Sequence, residues 1–132
     1  MKISIDTNVL VRIVLQDDPT QMAVANQLLR KASFIAISLP CLCEMVWILR
    51  SGAKLPNTKI IEILENILSV QKIELNRPAV LEGLKLLKMG GDFADGVMEY
   101  EGNILGGDTF YSFDKKAIKL LKEQGKSVQL LE

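Results

Sequence analysis

Five carboxylates stand where a ligand can meet them: Asp6, Glu44, Asp92, Asp95 and Asp114. Each follows an apolar, β-type run or opens a helical stretch. Histidine is absent from the chain. That excludes Ser-His-Asp and Cys-His nucleophiles, imidazole-pair chemistry and His-ligated zinc. Acids that converge without histidine repel one another unless a cation lies among them. Oxygen-only ligation suits a hard ion, Mg2+ or Mn2+, which keeps several waters and pairs with phosphates. Such a group can perform metal-assisted hydrolysis of a phosphodiester bond, with metal-activated water as the nucleophile.

The elements that position these acids follow from periodicity. Asp6 ends an alternating, β-branched run from Lys2, and Val9, Leu10, Ile13 and Val14 then take helical spacing, with Thr7 or Asn8 as N-cap. Asp17-Asp18-Pro19 breaks that helix, and another is expected over 20–31. Residues 33–39 form a buried strand, after which Pro40 opens a helix with Glu44 in its first turn, running to Arg50. Helices starting at Pro56-Asn57 and Pro78 flank a strand at 70–75; a helix over 92–104, a strand at 109–113, a helix over 115–123 and a strand at 128–130 complete the chain. Strands alternating with amphipathic helices imply a three-layer α/β/α fold with a central parallel sheet of four to five short strands. No repeat or linker divides the chain, so residues 1–132 are expected to be a single domain. In such sheets the C-terminal strand ends and the helix starts that follow them share the ligand-binding edge.

Asp at a helix start has a structural explanation of its own, since capping and the helix dipole favour it by roughly 0.3–1 kcal/mol. Glu44 is harder to explain that way, being surrounded in sequence by Cys41, Leu42, Cys43, Met45, Val46 and Trp47. A carboxylate buried in such company needs a partner or a cation, and Asp6, after a buried strand, raises the same question. At about 100° per residue, Asp92, Asp95 and Glu99 share a helical face away from Phe93, Val97, Tyr100 and Ile104. Sixteen basic residues balance sixteen acidic ones, which argues against broad attraction to nucleic acid but leaves room for a local patch. Cys41 and Cys43 are expected as buried free thiols of a reducing compartment. A strand pattern from residue 2 leaves no space for a signal peptide, and no apolar run is long enough to span a membrane, which points to the cytoplasm.

Taken together, Ile5-Asp6-Thr7-Asn8-Val9-Leu10, Glu44, Asp92-Phe93-Ala94-Asp95-Gly96 and Ser112-Phe113-Asp114 resemble the PIN domain, and within it the VapC-type toxins of bacterial toxin–antitoxin pairs. The resemblance covers the whole chain and makes Asp6, Glu44, Asp95 and Asp114 the catalytic and metal-binding acids. Thr7, Asn8, Asp92 and Ser112 become auxiliary. Two departures stand out: Gly96 replaces a common alanine, and Glu99-Tyr100-Glu101 replaces an alanine-rich stretch, which would make the site more acidic. The resemblance implies a Mg2+- or Mn2+-dependent endoribonuclease, a homodimer, and a cognate antitoxin whose tail blocks the active site with an Arg or Lys. Arg12, Arg50, Lys54, Lys115 and Lys116 are the candidate RNA-backbone contacts, and Trp47 is expected in the core or a dimer contact.

Other functions remain as alternatives. An aspartyl-phosphate transferase usually carries a second Asp two residues after the first, where this chain has Asn8. A phospho-accepting receiver needs an Asp after the third strand, where this chain reads Asn76-Arg77-Pro78. A non-toxin PIN nuclease, or a non-catalytic α/β interaction module, completes the set.

Overall fold

The chain begins with three strands that share one parallel sheet. In a computed structural model that describes residues 1–132, β1 (Lys2–Ser4), β2 (Phe34–Ala36) and β3 (Ile73–Glu74) pair in the order β1-β2-β3. Ile3 lies opposite Ile35, and Ile35 in turn opposite Ile73. A second parallel pair, β4 (Phe110–Ser112) and β5 (Val128–Leu130), sets Ser112 opposite Leu130. The fold is α/β with every strand pair parallel, and its five strands form a sheet of three and a sheet of two. The helices are α1 (Thr7–Leu15), α2 (Pro19–Lys31), α3 (Leu39–Trp47), α4 (Asn57–Ser69), α5 (Arg77–Lys88), α6 (Phe93–Ile104) and α7 (Lys115–Glu123), with a π-helical turn, Ile48–Gly52, extending α3.

Backbone contacts divide the chain into two compact units, Met1–Arg77 and Pro78–Glu132. In the first, β2 is the central strand and Ile35 is buried, as are Leu10, Val11, Leu42, Met45, Leu49, Ile60 and Leu64 from the helices. Each such side chain contributes roughly 1.5–3 kcal/mol by leaving water. Lys72 holds the end of α2 by donating to the Leu29 and Ala32 carbonyls, the latter at 3.1 Å. In the second unit Leu86, Ile118, Leu121 and Val128 form a core, with Phe110, Leu120 and Leu130 packed against it.

Expected and observed helices agree closely, but the strands are shorter than their apolar runs. β2 stops at Ala36 because Ser38 accepts the Cys41 N–H at 3.3 Å and starts α3 at Leu39. One consequence is that Glu44 lies in the second turn of α3 rather than the first. β1 is also not deeply buried, with Lys2 and Ser4 exposed and Ile3 half-buried. No helix is long and apolar enough to cross a membrane.

Candidate active site

In the first unit, Asp6 follows β1 and is itself the N-cap of α1, a role expected of Thr7 or Asn8. Its Oδ1 accepts the Val9 N–H at 3.0 Å. The cap fixes the carboxylate while one oxygen stays committed to the backbone. Asp18 makes the same bond to Gln21 at the start of α2, so capping alone does not mark a site. Glu44 is exposed on α3; no apolar cage surrounds it, because Leu42, Met45 and Val46 point into the core around it. Its helix periodicity, not desolvation, explains the apolar neighbours in sequence.

The Cys41 thiol locates these two acids. Burial pushes it above its ordinary range, a hydrogen bond with Thr7 acts the other way, and the nearby charges of Asp6 and then Glu44 raise it further. One buried thiol therefore feels both carboxylates. Held protonated, it offers neither a nucleophile nor a thiolate ligand near neutral pH. Cys43 is likewise in no disulfide and is only half-buried, not buried as expected. Asn8 is exposed and, with Asp6, Val9, Arg12, Val24 and Leu28, lines a largely apolar groove of about 350 Å3 between α1 and α2.

In the second unit, Asp114 follows β4 as Asp6 follows β1, and builds the same device. Its Oδ1 accepts the Ala117 N–H at 3.0 Å as N-cap of α7, and its own N–H donates to Ser112 Oγ at 3.0 Å. Ser112 thus holds the turn that presents Asp114. Asp92 caps α6, accepting the Ala94 N–H at 3.3 Å, and Asp95 lies in the first turn of that helix. Asp95 is pushed up to about 6, first by burial, then by the charges of Asp92 and Asp114. Three acids expected to belong together are therefore close enough in this unit to feel one another.

Several expectations are corrected. Glu99 is buried rather than on an exposed acidic face, and pairs with Lys126 at 3.7 Å, so it does not add to the acidity of the site. Tyr100 is only half-buried and Ile104 is 67% exposed, because α6 turns its Phe93, Gly96, Val97 and Glu99 face inward. Trp47, expected in packing, is 68% exposed. Arg12 is tied to Asp17 at 2.8 Å, and Arg50 donates to Asn57 Oδ1 at 3.0 Å. Lys54, Lys115 and Lys116 are exposed. Sequence reading missed Cys41 as the reporter of Asp6 and Glu44, and Lys126 altogether. A half-buried lysine partner far along the chain, 44 residues from Glu82, leaves no local signal.

With this geometry in place, comparison with known families is decisive: the PIN domain matches residues 3–99. The chain belongs to the PIN-domain family. The match includes Asp6, Glu44, Asp92 and Asp95 and ends before Ser112 and Asp114. PIN domains are generally nucleases, and typically use a divalent metal. No curated protein and no solved structure matches the chain. For a divalent cation the donor chemistry of this PIN domain fits, being all carboxylate, with Asp95 raised first by burial and then by the like charges of Asp92 and Asp114, which a cation would offset. No group of three or more His, Cys, Asp or Glu side chains is tight enough to hold the ion as it stands.

Proposed function

We propose that this PIN-domain protein is a Mg2+- or Mn2+-dependent endoribonuclease, the VapC-type toxin of a toxin–antitoxin pair. Asp6, Glu44, Asp95 and Asp114 would hold the ion, and Asp92, Ser112, Thr7 and Asn8 would support them. The observation that carries the reading is the placement of Asp92 and Asp95 at the start of α6 near Asp114 at the start of α7, in a family of nucleases. Mutually repelling acids are costly to keep together, and a cation is what makes the arrangement favourable. When bound, the ion supplies an activated water and stabilises the leaving oxygen.

The chain's own groups set the stage for that reaction. The backbone bonds to Asp6 and Asp114 fix the two carboxylates without neutralising them. Burial, and then the charges of Asp92 and Asp114, raise Asp95 to about 6, so a cation beside it would favour its ionised form. Exposed Lys54, Lys115 and Lys116, with Arg12 and Arg50, are proposed to contact the RNA backbone. The acids also suit an Arg or Lys from the tail of a cognate antitoxin. Because Trp47 is exposed, its packing role passes to a homodimer contact. The matched stretch crosses from the first compact unit into the first part of the second, and we propose that residues 1–132 are one PIN domain. Two cysteines outside any disulfide, and no helix long and apolar enough to cross a membrane, favour a cytoplasmic location.

The reading is tested by incubating the purified chain with RNA in Mg2+, in Mn2+ and in EDTA. Cleavage with either metal and none in EDTA is expected. Equal cleavage with and without metal, or none with either ion, would remove it. Sequencing the RNA ends after brief expression would then identify the substrate.

A further inference from the structure

Glu99 is the only buried charged side chain, 7% exposed. It lies on α6 four residues after Asp95, one turn further along the same face. Its cation is Lys126, whose Nζ stands 3.7 Å from Glu99 Oε1 and 2.6 Å from Glu82 Oε1 on α5. Lys85 Nζ completes the group, 2.8 Å from Glu82 Oε2. Two carboxylates therefore meet two ammonium groups. Lys126 itself belongs to the turn between α7 and β5, where its N–H donates to the Leu121 carbonyl at 3.1 Å. A single side chain thus ties three parts of this unit: α5, α6 and the end of the helix that Asp114 caps.

The tie acts on elements with little slack. A Cβ at Gly96 would come within 2.8 Å of the Glu82 carbonyl and 2.9 Å of the Gly83 Cα. One at Gly83 would meet the Phe93 ring at 2.7 Å. Helices α5 and α6 are therefore in backbone contact at the level of Asp95, and Glu99 anchors α6 one turn beyond. Asp95 and Asp114, carried by α6 and the start of α7, repel each other when no cation lies between them.

We propose that Lys126 is a positioning residue that, through Glu99, fixes α6 and holds Asp95 at its distance from Asp114 before the divalent ion arrives. The proposal rests on the metal-dependent reading given above. A cation held one turn along α6 from Asp95 offsets the tendency of the acids to separate, so the metal meets a prepared set of ligands. Removing it leaves Glu99 buried without its partner and frees the helix to shift.

The test is Mn2+ binding to the full chain without RNA, followed by the electron paramagnetic resonance of free Mn2+, with urea unfolding recorded separately. Lys126→Met keeps the aliphatic stem and removes the charge. It is expected to weaken Mn2+ binding roughly tenfold or more, the size of loss seen when groups that orient metal ligands are removed. Lys126→Arg should restore most of the affinity, and Glu99→Gln, a milder change that also serves should Lys126→Met not fold, should weaken binding in the same direction. A lower urea midpoint with unchanged Mn2+ affinity in these variants would reduce the network to a structural brace and overturn the proposal. A wild-type chain that binds no Mn2+ would overturn both this proposal and the metal-dependent reading. Mn2+ binding that depends on Lys126, in a chain that cleaves no RNA, would leave this proposal standing and remove only the proposed reaction.

Discussion

Asp95 carries its charge at a cost that pH can reveal. Its carboxyl is raised from 3.8 to about 6, so between those values the folded chain holds a proton that the unfolded chain has lost. By linkage, metal-free stability falls as pH rises through that window and stays lowered above it. With the side chain only partly buried, the effect is on the order of 2 kcal/mol. Asp95→Asn should therefore raise the urea midpoint of the metal-free protein at pH 7.5 and leave it little changed near pH 4. Equal shifts at both values would mean that Asp95 is not the strained group. Glu82 behaves in the opposite sense. Burial pushes it up, but hydrogen bonds from Lys126 and Lys85 outweigh this and lower it, so its contribution is present above the ordinary Glu range and lost as acid protonates it. At this scale the acids were legible in sequence because their type and place beside strand ends and helix starts are local properties. Their environments were not. Glu44 has apolar neighbours in sequence yet is exposed, and Glu99 seemed to share an acidic face yet is buried against Lys126.

Helices were the most legible elements. α7 and β5 begin and end where the periodicity puts them, because capping and amphipathic spacing are written within a few residues. Strand lengths were not, since a run such as 33–39 stays apolar past the point where Ser38 turns the chain into α3. The close approach of α5 and α6 left no sequence signal beyond two glycines. That contact makes a prediction against local propensity. Alanine at a helix interior is favoured over glycine by about 1 kcal/mol, and it is common at position 96 in the resembling family. Here Gly96→Ala forces a Cβ against the Glu82 carbonyl, and such overpacking costs about 1–3 kcal/mol. Urea denaturation should show Gly96→Ala less stable than the parent; an increase in stability would mean that α5 and α6 part without cost.

For the whole molecule, the parallel α/β architecture was readable from the alternation of strands and helices, while the split into sheets of three and two strands was not. Strand pairing depends on long-range register that short apolar runs leave open. The metal-dependent account predicts that Mn2+ raises the thermal midpoint relative to EDTA, by the mass-action gain of a ligand that binds only the folded state. Coincident melts would count against metal binding. The proposed metal-dependent nuclease reaction is tested most directly by RNA cleavage at saturating Mn2+ with Asp6→Asn, Glu44→Gln, Asp95→Asn and Asp114→Asn, each checked for native circular dichroism. The account predicts that each single change lowers the cleavage rate roughly 100-fold or more. Full activity in both Asp6→Asn and Glu44→Gln, or in both Asp95→Asn and Asp114→Asn, would contradict it.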